Sequence, residues 1–299
     1  MRSDPPAPPP PRPSASVVVP ARDAAGTLPA LLASLAAQEV DGGELEVVVV
    51  DNASHDATAL VAEAAGARVV TEVVPGRARA RNAGSAAARG GLLLFVDADC
   101  VAEPGWARAL VACLEGASLV AGPVRLRSGD PPNSVERLER LWRFDQEGHV
   151  RRDGWAASAN LAMRREAFEA VGGFDSGFER IGEDVDLCLR AAGAGHTLAF
   201  CPEAVVAHPV EWSIAAIALR GVSHGWSNLQ LSRRHPGRAG SAYWRHPGPL
   251  VRGDWALRRF VEDPSKIPPG ERRRMLALAR VEYGARVAGS AWAALRGAH

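Results

Sequence analysis

The chain has 299 residues, of which 47% are hydrophobic and 23% charged, and its net charge is +1. That supplies core for one large α/β domain or two modest ones, and the near-neutral balance excludes bulk nucleic-acid binding, which needs a basic surface. Cys100, Cys113, Cys188 and Cys201 include no CxxC pair and no Cys/His ladder, which argues against zinc. They are expected as small core residues in a reducing compartment. No apolar run reaches the roughly 18 residues that span a bilayer, and the proline-rich start lacks a signal peptide's apolar region. The expected setting is cytoplasmic, with peripheral contact at the inner face of a membrane left open.

In chain order, residues 1–14 (MRSDPPAPPPPRPS) read as a disordered proline-rich tail. Ser16–Val19 is a short buried strand stopped by Pro20, and Gly26-Thr27 opens a helix to about Gln38 with Thr27 as N-cap. Leu45–Val50 (LEVVVV) is a second buried strand that ends in Asp51. A helix to about Ala65 follows, then a strand at Arg68–Thr71. Pro75–Arg81 leads into a helix that ends near Arg89-Gly90-Gly91. Leu92–Cys100 (LLLFVDADC) is the central stretch. Its five bulky apolar residues suit a strand buried on both faces, and it breaks into Asp97-Ala98-Asp99. Like charges at a core edge repel each other and are costly to desolvate, so a divalent cation carrying a phosphorylated ligand accounts for them. A solvated strand-end turn is the plainer account. This strand–helix–strand alternation predicts a doubly wound nucleotide-binding half.

Further on, Pro104–Leu114 reads as a helix, Ser118–Arg127 as one strand, and Val135–Gln146 as an amphipathic helix over the sheet. Ala156–Met163 is small and apolar. A helix from Arg165 stops at Gly172-Gly173, Phe174–Glu183 is a loop and Asp184–Ala192 a helix. Leu198–Cys201 and Val205–Ala207 are short strands before His208. Residues 211–299 read as a helical, loop-rich extension. There Leu278, Val281, Ala285, Ala288, Trp292 and Leu295 form one apolar stripe among arginines, expected to pack on the domain or a partner, with an anionic membrane as the lesser alternative.

VVVPAR (Val17–Arg22), VVVVDNAS (Val47–Ser54), RARNAG (Arg79–Gly84), FVDAD (Phe95–Asp99) and GGFDSGFERIGEDVDLCLR (Gly172–Arg190) occur in one order. Together these motifs closely resemble the family 2 glycosyltransferases, inverting sugar-nucleotide enzymes of the GT-A fold, over roughly residues 15–210. The resemblance implies an α/β fold with a mixed, mainly parallel sheet flanked by helices. Residues 15–100 would be its nucleotide-binding half and 101–210 its acceptor half.

By that resemblance Pro20, Ala21 and Arg22 line the nucleotide and Asp51 accepts a hydrogen bond from the base. Asp97 faces the ribose and metal side, Ala98 belongs to the nucleotide-binding set, and Asp99 binds a divalent metal, Mn2+ or Mg2+, on the diphosphate. Arg79, Arg81 and Asn82 lie near the nucleotide; arginine suits phosphate because its planar fork makes paired charge-assisted hydrogen bonds. A solvated helix start is the plainer account of Arg77, Arg79 and Arg81. On the acceptor side the resemblance implies Asn160, Glu183 and Trp155, with Asp184 as general base; Asp184 as a mere helix N-cap is the alternative. His208 would complete the metal site or be structural. Trp155 and Trp212 could stack on sugar or base, or simply pack. The implied donor is a nucleoside-diphosphate sugar, UDP-sugar ahead of GDP-sugar. The acceptor would be a glycan, lipid carrier, peptide or small molecule. Gln230-Leu231-Ser232-Arg233-Arg234 only partly echoes the QxxRW of processive members, which points to transfer of one sugar. The competing readings are a nucleotidyltransferase, which would carry a Gly-rich, Lys-containing loop after the first strand, and an inactive domain serving as a scaffold or membrane-docking module.

Overall fold

The computed structural model describes residues 13–41, 43–128, 130–142, 144–210, 213–237 and 270–297. Most of the proline-rich tail and Trp212 lie outside the described residues. The strands are β1 (Ala15–Ala21), β2 (Leu45–Asp51), β3 (Arg68–Thr71), β4 (Leu92–Val96), β5 (Val101–Ala102), β6 (Leu119–Ala121), β7 (Val124–Arg127), β8 (Asn160–Arg164), β9 (Leu198–Phe200) and β10 (Val206–Pro209). The helices are α1 (Leu28–Ala36), α2 (Thr58–Ala64), α3 (Arg77–Ala87), α4 (Trp106–Cys113), α5 (Ser134–Trp142), a short α6 (Gln146–Gly148), α7 (Arg165–Ala170), α8 (Glu183–Gly193), α9 (Ile214–Arg234) and α10 (Arg272–Leu295).

A seven-stranded sheet runs β3-β2-β1-β4-β8-β6-β9. β1, β2, β3 and β4 are parallel, and β8 runs antiparallel between β4 and β6. The sheet is mixed and mainly parallel, as expected. Val17–Val19, Val48–Val50 and Leu93–Val96 are completely buried, because helices cover both faces of β-branched and bulky strands. One face packs on Leu28, Leu31 and Leu35 of α1 with Trp106 and Leu110 of α4. The other packs on Ala78 of α3, Phe168 of α7 and Leu187 and Cys188 of α8. At the strand starts, Ser16 Oγ donates to Glu46 Oε2 at 2.6 Å, and Arg89 donates to Glu46 from N at 2.7 Å and from Nε at 2.8 Å. This buried group joins β1, β2 and the end of α3 at the pole away from the strand C-termini.

The structure corrects four expectations. Ser118–Arg127 is two strands: β6 stays in the large sheet, and β7 joins a small one, β5-β10-β7. The break falls at Gly122, where a Cβ would lie 1.9 Å from the Ala204 carbonyl oxygen, so a side chain cannot pass there. α5 leaves the sheet and packs Val135 and Leu138 against Ile217 of α9 and Met275, Leu278 and Ala279 of α10. Of the expected α10 stripe Leu278 is buried, but Val281, Trp292 and Leu295 are 40%, 38% and 88% exposed, so the stripe is not the buried face as a whole. α10 instead buries Met275, Leu278, Ala279, Glu282, Arg286, Ser290 and Ala293. The buried pair Glu282–Arg286 at 2.7 Å and the Ser290 Oγ bond to Gly225 O at 2.6 Å allow polar positions to face α9. Finally, Cys113 and Cys201 form a disulfide, while Cys100 and Cys188 are free and buried. The fold brings the end of α4 beside the end of β9, with Cα atoms 6.3 Å apart, a proximity that spacing along the chain does not reveal.

Candidate active site

Parallel strands carry their C-terminal ends to one edge, where open α/β sheets bind ligands. Pro20 and Ala21 end β1, Asp51 ends β2, and Asp97 follows β4, so these residues share that edge. The adjoining loops are stitched together. His55 N donates to Asp23 Oδ1 at 2.7 Å, and Ser54 N donates to Asp51 Oδ1 at 3.3 Å. Arg22 is exposed, and its Nε lies 3.8 Å from Asp23. Asn52 is buried; it donates to the Glu72 and Val74 carbonyls at 3.0 and 2.8 Å and accepts from Gly76 N at 2.7 Å, fixing the start of α3.

Arg81 is the hub of the site. Its side chain is 3% exposed, and it donates from Nη2 to Asp97 Oδ1 at 2.9 Å and from Nη1 to Glu183 Oε1 at 2.6 Å. It therefore joins the strand-end carboxylate of the first half to the first turn of α8 in the second. Burial opposes the Arg81 charge, but Asp97, Glu183 and Asp184 outweigh it and hold its pKa above the ordinary value. Burial also works against ionised Asp97, yet Arg81 and then Arg77 bring its pKa below the usual range. Glu183 goes the other way: burial and then the charge of Asp184 raise its pKa, with Arg81 and Arg77 only partly offsetting them. Among the described residues, neither Arg81 Nε nor Glu183 Oε2 has a hydrogen-bond partner.

Asp184 sits in the first turn of α8, which Gly182 opens with a φ of +102°, a left-handed conformation that favours glycine. Its Oδ1 accepts from Val185 N at 2.9 Å and its Oδ2 from Ser158 N at 3.1 Å. Gly182, not Asp184, is the N-cap residue. The carboxylate is thus oriented from two elements, is only half-buried, and lies where a helix N-terminus favours negative charge.

Asp99, Cys100 and His208 bring ligand atoms within 4.8 Å of one another. His208 Nδ1 lies 2.5 Å from the Pro209 carbonyl oxygen, which can only accept, so Nδ1 carries the proton. In a neutral ring Nε2 then presents its lone pair to Asp99 Oδ1, 3.4 Å away. Two acceptors facing each other suit a shared cation, and imidazole with carboxylate suits Mn2+. Burial, with Asp97 and Asp99 nearby, pushes the Cys100 thiol well above its ordinary pKa.

Several expected contacts are committed elsewhere. Asn82 donates to Phe174 O at 2.7 Å and accepts from Phe174 N at 2.9 Å, pinning the Gly172-Gly173 loop to α3. Asn160 is fully buried: Nδ2 donates to the Pro123 and Ala204 carbonyls at 2.9 and 2.7 Å, and Oδ1 accepts from Trp106 Nε1 at 2.9 Å. Both amides tie backbone segments together. Trp155 stacks on His149 with centroids 3.9 Å apart. Arg79 is exposed and lines a cavity with Ser176–Glu179. The charge of Arg77, one helical turn before Arg81, also reaches Asp97 and Glu183. Arg77 and Ser158 went unassigned in the sequence; the i, i+4 spacing from Arg81 could have flagged the first, and nothing local flags the second. Ala98 lies buried in the turn between the two aspartates.

A family model described as Glycosyl transferase family 2 matches residues 16–172. A pre-mycofactocin glycosyltransferase of Mycobacterium tuberculosis is 33% identical over 264 residues, 82% of this chain and 52% of the relative. The chain thus spans about half the length of that relative. The fold is similar to a mannosyltransferase from Pyrobaculum calidifontis in complex with GDP-Man and Mn2+. That match has a TM-score of 0.54 and 18% identity and covers 96% of this chain and 75% of the other. It is also similar to GalNAc-T7 with UDP, GalNAc and Mn2+, with a TM-score of 0.56 and 19% identity over 75% of this chain and 52% of the other. No described helix is long and apolar enough to cross a membrane.

Proposed function

The chain belongs to glycosyl transferase family 2, and from that membership we propose that it moves one sugar from a nucleoside-diphosphate sugar to an acceptor hydroxyl by a single inverting displacement. The carrying observation is the convergence at one sheet edge of Asp97, Arg81, Glu183 and Asp184, with Asp99 facing His208 beside them. Asp184 is the base. It takes the proton of the acceptor hydroxyl as that oxygen attacks the anomeric carbon and the bond to the diphosphate oxygen breaks on the opposite face. A carboxylate can do this because the hydroxyl becomes acidic as attack proceeds. Ser158 N keeps Asp184 Oδ2 in place, and Arg81 keeps Asp97 ionised and fixed. Asp99 and His208 would hold a divalent cation, Mn2+ or Mg2+, which when bound supplies positive charge for the departing nucleoside diphosphate. Asp51, Pro20, Ala21 and Arg22 would receive the nucleotide, and exposed Arg77 is placed to meet its phosphates.

Relatives bound to GDP-Man and to UDP leave both donor classes in play, with UDP-sugars tried first. The test is a thermal-shift and hydrolysis screen of UDP-, GDP-, dTDP- and CMP-sugars with Mn2+, Mg2+ or EDTA. Ligand that binds the folded state raises the melting temperature by mass action. A shift with one nucleotide that needs metal and disappears in Asp99→Ala is the expected result. No shift with any pair of nucleotide and metal would overturn the proposal in favour of a non-catalytic domain.

A further inference from the structure

We infer that α9 clamps the loop that delivers Asp184, so that the helical C-terminal part sets the orientation of the base; this rests on the role proposed above for Asp184. The loop Asp175–Gly182 runs between the Phe174 anchor and α8. α9 holds it along its length. Arg234 pairs with Asp175 and lies 4.7 Å over the Phe178 ring. Gln230 Nε2 donates to Gly177 O at 3.2 Å, and Ser227 Oγ donates to Ile181 O. Arg180 lies 5.6 Å over Trp226 of α9 and 4.8 Å over Trp292 of α10. Past the loop, His235 Nε2 meets Asp186 Oδ1 at 2.9 Å, and Arg190 Nε donates to the other Asp186 oxygen at 2.7 Å. Phe178, Leu189 and Leu231 close a buried cluster between the two.

These contacts form a device rather than incidental packing. Ser227, Gln230, Leu231 and Arg234 recur at i, i+3, i+4 and i+7, so one face of α9 supplies them all. The loop has no regular structure of its own, and the Gly177 and Ile181 carbonyls find their donors on α9. Gly182 backs directly onto this face: a Cβ there would lie 3.1 Å from Ser227 Cβ and 3.4 Å from Leu231 Cδ1. The polar contacts reach Asp186, two residues beyond Asp184, so the first turn of α8 is held by Ser158 on one side and α9 on the other. All the α9 residues lie beyond residue 172, where the family match stops. General-base chemistry tolerates little misplacement of the accepting oxygen, which makes Ser227, Gln230, Arg234 and His235 positioning residues.

The experiment compares the full chain with Ser227→Ala, His235→Ala and His235→Gln, the last keeping a donor near the Nε2 position. Hydrogen exchange of peptides covering residues 174–187 is expected to speed up by about tenfold or more in both alanine variants. It should stay near wild type in His235→Gln, with residues 15–100 unchanged in all. Nucleoside diphosphate release from UDP-glucose or GDP-mannose with Mn2+, water acting as acceptor, should fall about tenfold in kcat with KM kept within about twofold. Unchanged exchange at 174–187 would overturn the clamp, and faster exchange with undiminished kcat would overturn its positioning role. If the wild-type chain binds neither UDP nor GDP with Mn2+, the transferase proposal fails, while the exchange measurements still decide whether α9 holds the loop.

Discussion

Asp184 and His208 occupy opposite sides of the proposed reaction, so substituting each should separate its two requirements. Asp184→Asn keeps the shape and the Ser158 contact but removes the proton acceptor. Turnover should fall by about 10²–10⁴-fold while the thermal shift given by nucleotide and Mn2+ persists. His208→Ala should do the reverse, weakening apparent Mn2+ affinity by about 10–100-fold in a titration of the same shift. Equal effects of both variants on nucleotide binding would contradict this division. Arg81 shows why residue type alone misleads. An arginine near a nucleotide site invites a phosphate role, yet this one is buried between Asp97 and Glu183. Arg77, on the same face and exposed, is the better phosphate candidate.

Elements are joined here by buried polar groups as much as by the apolar core. Glu46 is the clearest case, because it ties β1, β2 and the end of α3 through Ser16 and Arg89. Burial works to raise its pKa, but the Ser16 hydroxyl and the Arg89 amide and guanidinium bring it below the ordinary 4.5. A carboxylate with a depressed folded pKa contributes stability above its unfolded pKa and loses it as pH falls through the folded value. Glu46→Ala should therefore cost about 2–4 kcal/mol in urea unfolding at pH 7. The gap to wild type should narrow below about pH 4. A constant gap across that range would show that the charge contributes nothing.

Across the whole molecule, the Cys113–Cys201 disulfide joins the end of α4 to the end of β9, 88 residues apart in sequence. Cross-linking residues so distant restricts the unfolded chain, and reduction should lower stability by about 2–4 kcal/mol, measured by urea unfolding with and without dithiothreitol. Alkylation of the denatured, unreduced protein should label Cys100 and Cys188 alone. Labelling of all the cysteines would remove the bridge from the account. The same chain segment leads from Cys201 through Ala204, which accepts from Asn160, to β10 and His208. The bridge thus fastens the strand that presents the histidine.

The sequence by itself determined the doubly wound half. Valine-rich and leucine-rich runs ending in Asp51 and Asp97 can only be buried strands with polar ends, and strand C-termini gather at one edge of a parallel sheet. It also determined the family, because five short motifs keep their order. Only the tertiary structure decided which polar groups remain open. Asn82 and Asn160 satisfy backbone groups distant in sequence, which only the fold brings to them. The disulfide and the buried face of α10 depend likewise on partners far along the chain. So does the grip of α9 on the loop before Asp184: local periodicity records which residues share a face, whereas contact across the fold determines what that face meets.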